Sequence, residues 1–284
     1  MFKYLLYRFG QFCAHRLPLR LAYRITVFVS DMQYALSPRD RKAVTHNLKL
    51  ILNTNDDVQP FVREVFRNFG RYLLEFFRMA KFLNKDYIKR NVTLKNIECV
   101  DRVLKHGKGG ILLTAHIGNW ELGGVIFSMM GYPIVAIALP HKERPVNDLF
   151  NRQREARGVK IVQTNGSVKK CIETLRQNKI VALLADRDFG FTGKVMDFFG
   201  KKAHIPKGPA SFSQRTGAPI IPAFLIREQD DFFQMIFEEP IFPPENGDER
   251  EVILTIMKKY TSLIEQKIRE YPTQWLMFRE FWIK

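Results

Sequence analysis

Several features that would fix the class of this protein at once are scarce or missing. Among 284 residues there are three cysteines, Cys13, Cys99 and Cys171, far apart in the chain. They form neither a disulfide framework nor a zinc-binding spacing, which suits a reducing compartment and reads them as small buried hydrophobes. Long apolar runs are also missing. The best stretch, 17–36, is interrupted by Arg20, Arg24 and Asp31, so no spanning helix is expected. No small-residue cleavage site follows an apolar core near the start, so no signal peptide is expected. There is no Gly-x-Ser-x-Gly elbow, and Asn165-Gly166-Ser167 lacks its flanking pattern, which argues against a serine hydrolase. No internal repeat, low-complexity segment, recognition helix, zinc module or RNA-binding sheet is visible.

Acidic residues are in deficit: 29 Asp+Glu stand against 45 Lys+Arg, for a net charge of +16. Such a bias predicts an anionic partner, whether nucleic acid, an anionic membrane surface or a phosphorylated substrate. A basic non-enzymatic protein binding nucleic acid or a membrane surface explains the charge. It does not explain the His-Glu turn described below.

What is present is a globular chain with two textures. In 1–16, Phe2, Leu5, Leu6, Phe9, Phe12 and Cys13 recur at helical spacing between Lys3, Arg8, His15 and Arg16. After Pro18 the pattern resumes through Leu19, Leu21, Ala22, Tyr23, Ile25 and Val29, with Arg20 and Arg24 interleaved. Basic, aromatic amphipathic helices of this kind lie in a membrane interface. Ser37-Pro38 starts another helix, and a long one spans about 58–82 with a dense apolar face. From about residue 92 short apolar runs alternate with helical patterns. Strands are expected at 92–95, 110–115, 133–138, 159–163, 180–185, 219–226 and 232–237. Helices are expected at 97–106, 119–131, 145–157, 166–178, 207–217 and 249–270. The fold class that follows is α/β: a mostly parallel, mixed sheet with helices on both faces, preceded by an N-terminal helical segment. The division is a membrane-associating helical segment over 1–90 and an α/β catalytic domain over 91–284.

The stretch 109–122, Gly-Gly-Ile-Leu-Leu-Thr-Ala-His-Ile-Gly-Asn-Trp-Glu-Leu, organises the rest. An apolar strand stops at His116, Gly118 supplies a turn, and Asn119 caps a helix that has Glu121 in its first turn. This geometry brings side chains to the C-terminal edge of a sheet, where α/β proteins bind ligands. On one helix, five residues would rotate His116 and Glu121 about 140° apart; across a turn they can meet. A His with a carboxylate in reach is a general base with its orienter. The plainer reading is a core His beside a capping Glu.

Three more stretches stand at predicted element ends. In 151–158, Arg152, Arg154 and Arg157 close a helix; they suit bidentate phosphate binding, or a solvated basic helix end. In 183–190 an apolar strand ends in Asp186-Arg187-Asp188, a site edge for which Mg²⁺ binding is the lesser reading. In 197–210, Lys201, Lys202 and Lys207 stand beside Phe198 and Phe199 in what reads as a loop with exposed aromatics. It suits an anionic head group or a phosphopantetheine carrier, or is a loop with solvated lysines.

Taken together, His116-Ile117-Gly118-Asn119-Trp120-Glu121 resembles the His-x4-acid signature of the lysophospholipid acyltransferase superfamily, in its lipid A biosynthesis (late) acyltransferase branch. That branch includes mycobacterial phosphatidylinositol mannoside acyltransferases. Further resemblances, in order, are Asp186-Arg187, Asp197-Phe198-Phe199-Gly200, the 216–222 stretch Thr-Gly-Ala-Pro-Ile-Ile-Pro, and the ending Tyr271-Pro272-Thr273-Gln274-Trp275-Leu276. Leu17-Pro18 and Asn47-Leu48 match its N-terminal helices. Thr273 stands where the branch usually has Glu, and the N-terminal helix is short and charged where many relatives carry a spanning segment.

The resemblance implies transfer of a fatty acyl chain from an acyl carrier protein or coenzyme A thioester to a hydroxyl of a membrane glycolipid or phospholipid precursor, lipid A type first. It implies His116 as base, Glu121 as its orienter, and substrate contacts from Asn119, Arg154, Arg157, Asp186 and Lys207. Backbone donors after strand 110–115 would hold the oxyanion, and an apolar groove would hold the acyl chain. No metal, cofactor or nucleic acid is called for. The expected location is the cytoplasmic side of the inner membrane, peripheral or monotopic.

Overall fold

The computed structural model describes residues 2–163, 167–188 and 193–283. Asn165-Gly166, named above, and 189–190, the end of the stretch 183–190, lie outside the described residues. The chain opens with α1 (Phe2–Arg16), α2 (Leu19–Leu36), α3 (Pro38–Leu52), α4 (Gln59–Phe82) and the short α5 (Lys85–Asn91). Pro18 separates α1 from α2, and Pro38 begins α3, both where a missing backbone N–H costs nothing. Then follow β1 (Val92–Lys95), α6 (Glu98–Lys105), β2 (Gly110–Thr114), α7 (Trp120–Met129), β3 (Ile134–Ala138), α8 (Arg144–Glu155), β4 (Lys160–Gln163), α9 (Ser167–Arg176) and β5 (Ile180–Leu184). The chain continues through β6 (Lys194–Phe198), β7 (Lys201–Ile205), α10 (Gly208–Thr216), β8 (Ile220–Gln229), β9 (Phe232–Phe237), α11 (Glu249–Glu270) and a 3₁₀ turn, Pro272–Gln274.

Seven strands form one sheet in the order β1-β9-β8-β2-β5-β3-β4. All neighbours run parallel except β8 and β9, an antiparallel hairpin. The α/β class expected from alternating strands and helices is the one adopted. The central strands are buried on both faces, which is why they read as unbroken apolar runs. Along β2, Ile111 and Leu113 enter one core with α9, α10 and α11. Leu112 enters the opposite core with α4, α7 and α8.

That second core joins the N-terminal helices to the sheet. Ala14, Ala22, Tyr23, Phe76 and Phe77 pack in it beside Leu122, Phe150 and Leu225. A third cluster, with Val44, Leu48, Val62 and Phe66, lies between α3 and α4. The close approach of α2 to α4 needs a glycine: a Cβ on Gly70 would overlap the Ser30 hydroxyl.

The hairpin β6–β7 replaces the loop expected over 197–210. Its strands alternate inward Met196, Phe198, Ala203 and Ile205 with exposed Val195, Asp197 and Lys202, and the lysines Lys194 and Lys201 at the strand starts are exposed as well. Its turn, Phe199-Gly200, has both residues at positive φ, 52° and 75°, the geometry that matches strand twist. Phe-Gly carries no ordinary turn signal, which hides the hairpin in the sequence. Phe198 and Phe199 are buried in the core and not exposed.

Candidate active site

Sheet register brings the first pair together. Thr114 of β2 stands opposite Leu184 of β5. His116 and Asp186, each two residues further on, leave the C-terminal edge side by side. His116 Nδ1 lies 2.7 Å from Asp186 Oδ1. Asp186 is fully buried, and its Oδ2 accepts from Trp275 Nε1 at 3.0 Å. Burial opposes the Asp186 charge. Its attraction to His116 and Arg187 and the hydrogen bonds from His116 and Trp275 outweigh burial and hold the carboxyl well below its ordinary value. An ionised Asp186 only accepts, so Nδ1 carries the proton and Nε2 keeps its lone pair. Burial also pushes the His116 imidazole below its ordinary value, against the opposing pull of Asp186 and with Arg187 adding to it. At neutral pH this His is an uncharged base.

Glu121 does not orient His116. Its two oxygens are taken by Arg154, whose Nε and Nη2 approach at 2.8 and 2.5 Å. The cause is the turn: it lets His116 face β5 while the first turn of α7 points Glu121 at α8. Arg154 therefore holds Glu121 and also donates to Asn151 Oδ1 at 3.1 Å, so its fork is engaged by a carboxylate of the protein itself. Both residues line the cavity described below.

The turn is fixed from three sides. Gly118 has φ 62°, and a Cβ there would overlap the Leu225 carbonyl oxygen, so only glycine fits. Its N–H donates to Gln274 O at 3.0 Å, and the Asn119 N–H donates to Leu225 O at 2.9 Å. Both are thus unavailable as the oxyanion donors expected there. Asn119 is fully buried. Its Oδ1 caps the Leu122 N–H at 3.0 Å and its Nδ2 donates to Glu75 Oε2 at 2.7 Å, so it positions the turn and does not reach substrate. Glu75, on α4, is paired with Arg227 of β8 and also accepts from Tyr23 of α2. This buried cluster ties the N-terminal helices to the site. It was not legible in the sequence, because its members are scattered from 23 to 227.

The C-terminal segment completes the site. Gln274 donates to Arg227 O at 2.8 Å and accepts from Arg227 N at 3.0 Å. The Leu276 N–H donates to His116 O at 2.9 Å, and the Leu276 carbonyl accepts from Arg187. Trp275 was visible from sequence as part of a motif, though nothing in the motif assigned it to Asp186.

The remaining candidates lie elsewhere. Arg157 precedes β4, at the sheet edge away from His116, and does not line the cavity. Lys207 is exposed at the start of α10, also outside the lining. Asp188 accepts the Gly193 N–H at 2.6 Å, and among the described residues no group of His, Cys, Asp and Glu is arranged to hold a metal ion.

His116, Glu121, Arg154 and Arg187 all open on one cavity of about 680 Å³. Its walls are otherwise mainly apolar, with Leu112, Ile137, Leu183, Phe224 and Met235 among them and Thr114, His141 and Arg279 as polar exceptions. The His116 ring meets Trp120 edge-on at 4.8 Å, and Trp120 stacks on Tyr72 at 4.5 Å. A neutral base at the head of an apolar cavity is suited to deprotonating a hydroxyl beside a lipid chain.

Comparison with known proteins gives this arrangement a family. The model for bacterial lipid A biosynthesis acyltransferases matches residues 1–284, and the chain belongs to that family. It is a lipid acyltransferase by that membership. A phosphatidylinositol mannoside acyltransferase of Mycobacterium tuberculosis is 25% identical over 229 residues, covering 79% of this chain and 71% of its own. The enzyme of that name from Mycolicibacterium smegmatis is 24% identical over 263 residues, covering 90% and 84%. A lipid A biosynthesis acyltransferase of Haemophilus influenzae is 27% identical over 143 residues, covering 50% and 45%.

Proposed function

We propose that this protein transfers a fatty acyl chain from an acyl carrier protein or coenzyme A thioester to a hydroxyl of an anionic membrane glycolipid or phospholipid precursor, lipid A type first. One observation carries the reading: a neutral His116, oriented by buried Asp186, heads a mainly apolar cavity. His116 Nε2 takes the hydroxyl proton. The oxygen attacks the thioester carbonyl, and the proton is returned to the departing thiolate. Asp186 keeps the tautomer and stabilises the imidazolium. Glu121 and Arg154, locked together, line the same cavity.

The surface supports work at a membrane. Among the described residues no helix is long and apolar enough to cross one. Leu5, Leu6, Phe9 and Phe12 of α1 and Leu21, Ile25, Phe28, Val29, Met32 and Leu36 of α2 are nevertheless exposed. Exposed Arg8, Arg16, Arg20 and Arg24 accompany them. An apolar stripe bordered by arginines suits an anionic lipid surface, here the cytoplasmic side of the inner membrane, held peripherally.

Mass spectrometry of lipids from cells with the protein, without it, and with His116→Ala tests the proposal. A lipid gaining one acyl chain only with the active protein is expected. Identical lipid profiles across the three would overturn it.

A further inference from the structure

The cavity has a depth as well as a head. His116 stands beyond the C-terminal end of β2, whereas Ile134 begins β3 and Val159 immediately precedes β4; all three line the cavity. It therefore runs beside α7 and α8 from the reacting edge of the sheet toward the opposite edge, about 13 Å along β3.

Two adjacent glycines of α7 line this space, Gly123 and Gly124. Gly123 has a packing reason. A Cβ there would stand 3.1 Å from Leu225 Cβ, so its absence lets α7 lie close on β8. Gly124 has no such reason. Its φ is not left-handed, and a Cβ there would meet nothing within 4 Å. A glycine inside a helix weakens it relative to alanine, through the backbone freedom lost on folding. Neither a turn nor a close approach offsets that cost at 124. What the missing side chain leaves is room in the cavity.

Neighbours on both sides fix where that room lies. Glu121, three residues before Gly124 and on the same face of α7, is bound to Arg154 of α8. Ser128 is four residues after it, and a Cβ on Gly158, which follows α8, would stand 3.0 Å from Ser128 Oγ. The two segments thus approach each other before and after Gly124 and stand apart at it. Trp120, which meets the His116 ring edge-on, is four residues earlier. Gly124 is therefore about 6 Å down the helix from the head of the cavity.

We propose that Gly124 sets the length of acyl chain this protein takes, a step that rests on the acyl-transfer reading above. The donor's chain runs from His116 down the cavity and passes Gly124, where any side chain would stand in its path. A short chain ends before that point. A long one crosses it and continues against the apolar walls at Leu112, Ile134 and Val159.

The test uses thiol release from S-acyl phosphopantetheines, butyryl to palmitoyl, with water as the acceptor. Phosphopantetheine is the arm common to both donors. In Gly124→Leu, kcat/KM should stay near wild type for butyryl and fall about 10- to 200-fold by palmitoyl. Gly124→Ala should show the same trend in weaker form. Both variants should melt at or above the wild-type temperature, since alanine and leucine favour a helix over glycine. A purely structural role would instead lower the melting temperature and cut activity equally at every length. If Gly124→Leu does not fold, Gly124→Ala is read in the same assays. Equal loss at all lengths, or a wild-type length profile in the folded variant, would overturn the proposal. Failure of the acyl-transfer reading is distinct: His116→Ala would then release thiol at the wild-type rate from every thioester.

Discussion

His116 shares its Nδ1 proton with Asp186, seventy residues away, across 2.7 Å. The carboxylate five residues from it belongs instead to Arg154. The two acids therefore have different jobs, and substitutions should tell them apart. His116→Ala should lose the proton-transfer advantage, about 100- to 10,000-fold in kcat. Asp186→Asn should fall in the same range, because an amide can donate to Nδ1 and select the wrong tautomer. The double variant should be little worse than either single one, since the pair acts as a unit. Steady-state kinetics on folded variants checks this; additive losses would count against the pair.

Burial lowers the His116 pKa, so the active, neutral form extends to lower pH than for a free imidazole. Activity should rise with pH along a single limb whose midpoint lies below 6.5, the ordinary value, and be flat through neutrality. Stability has the same sign. The unfolded chain protonates this His first as pH falls, so the folded state binds fewer protons there and loses stability below the ordinary value. A pH–rate profile with a midpoint at or above the free imidazole value would contradict the desolvated base.

Glu121 and Arg154 have side chains only 13% and 12% exposed, so each depends on the other for its charge. Arg154→Ala and Glu121→Gln should each cost about 1.5–3 kcal/mol of stability, and Glu121→Met with Arg154→Met should cost less than the sum. Arg154→Lys should recover only part, since the fork is lost. Denaturant melts decide this. Strict additivity would show that the two charges do not stabilise one another.

Removing α1 and α2 would take Ala14, Ala22 and Tyr23 out of the core, so membrane binding is better tested on the exposed stripe. Changing Phe9, Phe12, Phe28 and Val29 together to Ser should leave the melting temperature near wild type. It should move the protein from vesicles containing phosphatidylglycerol to the supernatant, each Phe carrying about 1.5–3 kcal/mol of burial. High salt should weaken binding of the wild type in part, through its arginines. Full vesicle binding by the variant would place the membrane face elsewhere.

The sequence by itself determined the sheet and the place of the chemistry. Apolar runs of four to six residues between helical patterns are local signals, and so is a strand that breaks at His-x-Gly-Asn. They gave the α/β class, most strands to within a residue, and the edge on which His116 stands. Partner choice was decided only by tertiary structure. Glu121 is near His116 in the chain, but a turn at positive φ sends the two side chains to different neighbours. Asp186 reaches His116 because β2 and β5 are adjacent and in register, and strand order is set by long-range packing that no local pattern encodes. Asn119, Arg227 and Tyr23 meet at Glu75 for the same reason. Each has a polar side chain that looks solvated when read alone, and burial made them a network.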